Sequence, residues 1–173
     1  MNPGGLGALR TAETGAMNEI EKRQNEVVQR IDVREGAVEE QTDASIKAQI
    51  QEYKTRRDGI LHSLTELKKR LSSIPDVPQA AQVRKAIEVQ IVKMQEALQH
   101  IQKAIEYAKR YREMQLQKVR EQFARQKEQV TTAFKEQKAQ ILMRFAEKKI
   151  AMKEALSMYQ ARRGVEGGNK AKG

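Results

Sequence analysis

The feature that most constrains this chain is an apolar repeat of eleven residues between Val119 and Arg162. One series is Val119, Val130, Ile141 and Met152, and a second lies four residues behind it, at Phe123, Phe134, Phe145 and Leu156. Eleven residues make three α-helical turns at about 3.67 residues per turn, so both series stay on one side of a nearly straight helix. The repeat therefore predicts a long, continuous helix over residues 119–162.

Lysines follow the same spacing beside the phenylalanines. Lys127, Lys138 and Lys149 form a basic column, with one step of about 16 Å per repeat at a rise of 1.5 Å per residue. Such a column predicts binding to an acidic surface, and the alternative is a solvated helix face.

Composition points to long helices rather than to a compact globular core. The chain has 173 residues, of which 32% are charged and only 4% aromatic, a profile typical of coiled coils. The absence of cysteine excludes disulfides, thiolate catalysis and cysteine-based zinc sites. No apolar run approaches the roughly 18 residues of a membrane span, and residues 1–9 lack the features of a secretory signal. We therefore expect a cytoplasmic, assembly-associated protein, with mitochondrial import left open.

The positive charge is concentrated in the second half of the chain. Residues 1–80 carry 12 Lys and Arg against 13 Asp and Glu, whereas residues 81–173 carry 21 against 10. A basic half attracts nucleic acid, anionic lipid or an acidic protein surface such as the tails of tubulin. Charge alone does not choose among these partners.

Heptad spacing predicts a first long helix over residues 9–74. Residues 1–8 contain three glycines and a proline, so we expect a flexible lead-in. Gly36 marks a possible break. From residue 46 the apolar residues alternate in steps of four and three, which predicts a coiled-coil seam with Arg57 as its polar member; the seam consists of Ile46, Ile50, Tyr53, Arg57, Ile60, Leu64, Leu67, Leu71 and Ile74.

A turn over residues 75–78 separates this helix from a second one over residues 79–163. Pro75 disfavours helix at Ile74, and Asp76 followed by Gln79 resembles a capping box with Pro78 in the first turn. Heptads resume at Ile87, Ile91, Met94, Leu98, Ile101, Ile105 and Ala108. So short a connection predicts antiparallel helices, with residue i opposite about residue 153 − i.

The second helix is predicted to be longer than the first. The register places residues 20–31 opposite about residues 122–133 and leaves residues beyond Phe145 without a partner in this chain. We therefore predict that the uncovered end of the apolar stripe binds another protein through Phe145, Met152, Leu156 and Tyr159. Residues 164–173, with three glycines and a basic end, are predicted to form a disordered tail.

No constellation of residues indicates catalysis, a metal or a cofactor. His62 and His100 fall outside the predicted seams, and the glycines cluster away from any phosphate-binding pattern. We therefore expect an all-α protein, a long antiparallel helical hairpin, that serves as a non-enzymatic structural or adaptor subunit. Its expected partners are other helical proteins or a second copy. A peripheral membrane protein that binds anionic lipid is the alternative, followed by a sequence-independent nucleic-acid binder.

Overall fold

The computed structural model describes residues 4–172, and the side chains of residues 5–165. Helix α1 comprises Gly4–Ser73, a single 3₁₀ turn comprises Pro78–Ala80, and helix α2 comprises Ala81–Lys172. The prediction of an all-α chain in which two long helices pack against each other is confirmed. In the described residues, neither helix has a stretch long and apolar enough to cross a membrane.

The chain divides into two compact units. Unit 1 comprises Met1–Val33 and Phe123–Gly173, and unit 2 comprises Arg34–Gln122. Each unit therefore contains one segment of α1 and one segment of α2. The connection between the helices belongs to unit 2.

Two apolar clusters hold the helices of unit 2 together. Leu64 is buried with Ile87 and Ile91, and the half-buried side chains packed around these three are Ile60, Leu67, Leu71, Ile74, Met94 and Leu98. Further from the turn, Ile46 and Ile50 are buried against Ala108. The predicted register places Ile46 opposite residue 107 and Leu64 opposite residue 89, so the contacts of these two residues lie within two residues of the expectation. Ile50 was expected opposite residue 103 and is buried with Ala108 instead.

The connection differs from the predicted capping box. Val77, rather than Asp76, is the residue before the 3₁₀ turn, and it makes no side-chain capping hydrogen bond. The backbone closes the turn instead, because Ala80 N donates to Val77 O at 3.0 Å. From α2, Arg84 Nη1 donates to the Ile74 carbonyl at 2.9 Å. This bond satisfies a carbonyl just past the end of α1, where no helical partner remains.

Helix α1 begins at Gly4 and not at residue 9, so the predicted flexible lead-in is helical over its described residues. Leu6 and Leu9 are half-buried. A Cβ built on Gly5 would lie only 2.9 Å from the Cε of Met152, which shows how closely α1 approaches α2 there. Packing against α2 thus overrides the low helix propensity of the glycines.

Helix α2 continues to Lys172, where the sequence predicts a disordered tail from residue 164. Extending an existing helix adds one backbone hydrogen bond for each residue that is fixed and needs no new nucleus. The glycines at 164, 167 and 168 therefore lengthen α2 rather than end it.

Gly36 does not break α1. The helix runs through it, Gly36 has no positive φ, and a Cβ added there would meet no atom within 4 Å. Glycine at this exposed helical position costs helix stability without a visible packing gain.

Gly36→Ala should therefore stabilise the protein by about 0.5–1 kcal/mol, because alanine fixes less backbone entropy on folding. Urea unfolding followed by circular dichroism measures the change. Gly5→Ala is the matched control, since its new methyl group meets Met152 and part of the gain is lost. Destabilisation by Gly36→Ala would show that α1 is broken at this residue.

Candidate partner-binding surfaces of the second helix

One face of α2 in unit 1 is covered along most of its length. Its buried and half-buried positions recur in steps of four, three and four residues, and we call them the inner stripe: Phe123, Lys127, Val130, Phe134, Lys138, Ile141, Phe145, Lys149, Met152 and Leu156. Phe123 is the most buried of these, with 7% of its surface exposed. Val119, which the sequence assigns to the same series, is half-buried in unit 2.

Helix α1 provides the matching face in unit 1. Ile20 and Ile31 are buried, with 5% and 2% of their surfaces exposed. Most buried and half-buried positions again recur in steps of four and three, at Leu9, Glu13, Met17, Ile20, Gln24, Val28 and Ile31, and the neighbouring Ala16 and Val27 are half-buried as well. Sequence reasoning assigned this segment to heptads and missed the interval of eleven residues that separates Leu9, Ile20 and Ile31.

The lysine column lies within the inner stripe and contacts acidic residues of α1. Lys149 Nζ is 2.7 Å from Glu13 Oε2, and Lys138 Nζ is 3.9 Å from Glu21 Oε1. Lys127 forms an ion pair with Asp32. The three lysine side chains are only 26–34% exposed. The acidic surface that the column was predicted to bind is therefore, in unit 1, the chain's own first helix.

The pair formed by Glu13 and Lys149 is the most enclosed of the three. The Glu13 side chain is 20% exposed, and its Oε2 atom is buried, with the Lys149 ammonium as its ionic partner. A carboxylate taken out of water is costly unless an opposite charge accompanies it. This pair consequently disfavours any register that separates the two residues.

The four residues predicted to bind a partner do not form one free surface. Met152 lies against the first turn of α1 at Gly5, whereas the predicted register places Gly5 opposite residue 148. Phe145 is half-buried, with Lys148 Nζ 5.3 Å from its ring centre. Leu156 is half-buried, and Tyr159 is 50% exposed. The expectation that residues beyond Phe145 lack a partner in this chain is wrong, because α1 starts earlier and local contacts, rather than distance from the turn, set the register.

A separate face of α2, centred about a third of a turn around the helix from the inner stripe, carries a second apolar series that is exposed. We call it the outer stripe: Ala139, Leu142, Met143, Ala146 and Ile150. Leu142 is 44% exposed, Met143 64% and Ile150 58%. Two residues turn a helix by about 200°, so Met143 points away from Ile141, and Ile150 away from Met152. Sequence reasoning missed this stripe, although the steps of four, three and four from Ala139 to Ile150 signal it.

In unit 2 the charged side chains also pair across the helices. Arg112 donates a hydrogen bond to Asp43, and Lys47 Nζ lies 2.9 Å from the same carboxylate. The bond from Arg112, and next the bond from Lys47, hold the pKa of Asp43 below its ordinary value of 3.8. Arg120 donates to Glu39 at 3.4 Å. Arg112 is thus matched by an acid on α1.

Unit 2 has surface cavities but no cluster of metal ligands among its described residues. Tyr53, Tyr107 and Tyr111 line a cavity of about 370 Å³, and the Tyr107 and Tyr111 rings are stacked with centroids 6.4 Å apart. His62 lines a second cavity, of about 420 Å³. Across the part of the chain that the structure describes, no three histidine, cysteine or acidic side chains gather to hold a metal ion.

Comparisons with known proteins do not indicate what these surfaces bind. No protein-family model, curated protein or solved structure matches the chain. Its function is therefore inferred from the inner and outer stripes and from the charges around them.

Reversing one charge of the enclosed pair should destabilise the protein, and reversing both should restore it. Glu13→Lys places two ammonium groups together, so we expect a loss of about 1–2 kcal/mol in unfolding free energy. The double variant Glu13→Lys with Lys149→Glu should recover most of that loss. Glu19→Lys is the control, because Glu19 pairs only within α1 and is exposed. Failure of the double variant to recover would contradict the observed register.

Asp43 should contribute to stability above its ordinary pKa and cease to do so in acid. A pKa lowered by folding means that the unfolded chain binds the proton more readily, so this stabilisation is lost as pH falls through the lower pKa of the folded state. Asp43→Asn should therefore be less stable than the wild type at neutral pH and equally stable in strong acid. Denaturant unfolding across this pH range measures the difference, and a gap that persists in acid would contradict the assignment.

Proposed function

We propose that this chain is a non-enzymatic structural or adaptor subunit of a larger cytoplasmic assembly, and that it binds a partner helix through the outer stripe. The observation that supports the proposal is the two-sided character of α2 between residues 139 and 152. Helix α1 covers the inner face, and the outer face presents Leu142, Met143 and Ile150 to solvent.

The outer stripe offers enough apolar surface for a specific contact. Fully burying an exposed large aliphatic side chain is worth about 1.5–3 kcal/mol. The three large members are still 44–64% exposed, so they supply roughly 2–5 kcal/mol before the cost of association. A contact of this size is favourable only when further residues on both sides join it. This requirement suits a subunit that is held at several points within an assembly.

We further propose that the paired helices form a coiled coil whose repeat changes along the chain. Heptad steps near the turn favour a left-handed supercoil, whereas steps of eleven residues favour a straight or slightly right-handed one. The steps of four, four and three in α1 complement those of α2 in unit 1. Matched repeats allow both helices to keep their apolar faces together over the same stretch.

The basic half of the chain would strengthen binding to an acidic partner. The α2 segment of unit 1 carries 12 Lys and Arg against 5 Asp and Glu. Lys127, Lys138 and Lys149 contact α1, but other cations along this segment are exposed, including Arg125, Lys135, Arg144, Lys148 and Lys153. Their attraction should weaken with salt, because screening acts within about 8 Å at physiological ionic strength.

A peripheral membrane role is the alternative proposal, and the placement of the phenylalanines disfavours it. Lipid contact through the inner stripe would require α2 to leave α1 and would strip Glu13 of its ionic partner. Sedimentation with anionic and with neutral liposomes tests this role directly. The third possibility, sequence-independent binding of nucleic acid, has the positive charge in its favour but no recognised binding motif.

A photoreactive amino acid at Met143 should crosslink the chain to a discrete protein in cells that make it. The same probe at Ala151, which is exposed but belongs to neither stripe, is the matched control and should give little product. Adding Ile150→Ser to the Met143 probe should remove the crosslink, since it interrupts the apolar surface. Equal crosslinking from both positions, or none from Met143, would contradict the proposed function.

A further inference from the structure

We propose that the partner on the outer stripe is a second copy of this chain, with the same α2 segment running in the opposite direction. This inference rests on the proposed function and names the partner of the same surface. Two observations support it: in an antiparallel copy of the segment, large side chains of the outer stripe lie opposite small ones, and the negative charge at one end of the stripe lies opposite the positive charge at the other.

Large and small side chains alternate along the stripe, so that two antiparallel copies of the segment can pack together. Consider two antiparallel copies in which residue i of one lies opposite residue 289 − i of the other. Met143 then faces Ala146 of the partner subunit, and Ile150 faces Ala139 of the partner subunit. Each of these two large side chains meets a methyl group, which lets the helices approach closely; Leu142 lies opposite Glu147 of the partner subunit, at the edge of the contact. The same contacts occur twice, as a two-fold interface requires.

Charges at the two ends of the stripe obey the same register. Glu136 and Lys153 continue its spacing beyond Ala139 and Ile150, both are exposed, and neither forms an ion pair with another described residue. The antiparallel register brings Glu136 of each copy opposite Lys153 of the other. A parallel arrangement would instead place Glu136 against Glu136 and Lys153 against Lys153. Electrostatics therefore selects the antiparallel orientation.

The remaining neighbours permit this arrangement. Glu147 flanks the stripe on one side, and the same register places it opposite Leu142 of the other copy rather than opposite another acid. The inner stripe stays with α1, because it lies on a different face of α2. Association thus requires no rearrangement of unit 1 and covers the apolar face that α1 leaves exposed.

Sedimentation equilibrium of the purified full chain tests the proposal over a range of concentrations. We expect a monomer–dimer equilibrium for the wild type and a monomer for Met143→Ser combined with Ile150→Ser. Glu136→Lys should raise the dimer dissociation constant about tenfold, because two ion pairs become two repulsions. The swap Glu136→Lys with Lys153→Glu should return it to within about threefold of the wild type. Circular dichroism should show unchanged helix content, since all four positions are exposed.

Cysteine crosslinking distinguishes the two orientations in a chain that has no cysteine of its own. A mixture of Ala139→Cys chains and Ile150→Cys chains should form mixed disulfides under mild oxidation. Ala139→Cys alone should not crosslink, because the two copies of residue 139 lie about 16 Å apart along the antiparallel pair. Efficient crosslinking of Ala139→Cys alone would indicate a parallel dimer and overturn the proposal.

The outcomes separate this inference from the proposed function. If the chain stays monomeric at every concentration while the Met143 probe crosslinks to a different protein, the proposed self-association is wrong and the proposed adaptor role still stands. A monomer without any crosslink overturns both. A dimer that is unaffected by the double serine variant and by Glu136→Lys uses another surface, and this result also overturns the proposed pairing.

Discussion

The structure of unit 1 depends on the contact between the inner stripe of α2 and the first half of α1. Apolar side chains such as Phe123 and Ile31 supply the burial, but the stripe also includes lysines at every eleventh residue. Such lysines are tolerated because their aliphatic stems pack along the interface while their ammonium groups meet acids of α1. The apolar contacts provide affinity between the helices, and the ion pairs restrict their register.

In this contact α1 covers only one of the two apolar faces of α2, the inner stripe. A two-helix layer cannot enclose both sides of a helix, and the described residues include no large side chain that is fully buried. The outer stripe is thus unexplained by the fold of one chain and is best explained by a partner. The proposed adaptor function rests on this incomplete coverage rather than on any chemical group, and the self-complementary spacing of the stripe favours a second copy as the proposed partner.

Much of the fold could be predicted from the sequence, because long helices have strong periodic signals. The break at residues 74–78 and the heptads on either side located the contacts of Ile46 and Leu64 to within two residues. The capping residue was wrong, since Val77 rather than Asp76 precedes the 3₁₀ turn. The predicted start of α1 was also wrong. The glycines of residues 1–8 were taken to indicate a flexible segment, and the packing of Gly5 against α2 could not be read from the sequence.

The candidate site was harder to predict than the fold. A register extended from the turn over about seventy residues does not fix which side chains meet, and the ion pair of Glu13 with Lys149 lies nine residues from that extrapolation. The lysine column was seen, but its partner in α1 was not, since its three acids do not repeat with the same period. The outer stripe was overlooked because the eleven-residue series dominated the same segment.

The most direct test of this account is amide hydrogen exchange across residues 123–163, measured on the Ile150→Ser chain so that the outer stripe contributes little. If the first turns of α1 cover α2, protection should extend through Met152 and fall beyond Leu156, because α1 begins at Gly4, next to this part of α2. Glu13→Lys should shorten the protected segment from the same end. Rapid exchange that begins at residue 146, unaffected by Glu13→Lys, would show that α1 does not reach this part of α2 and would contradict the account.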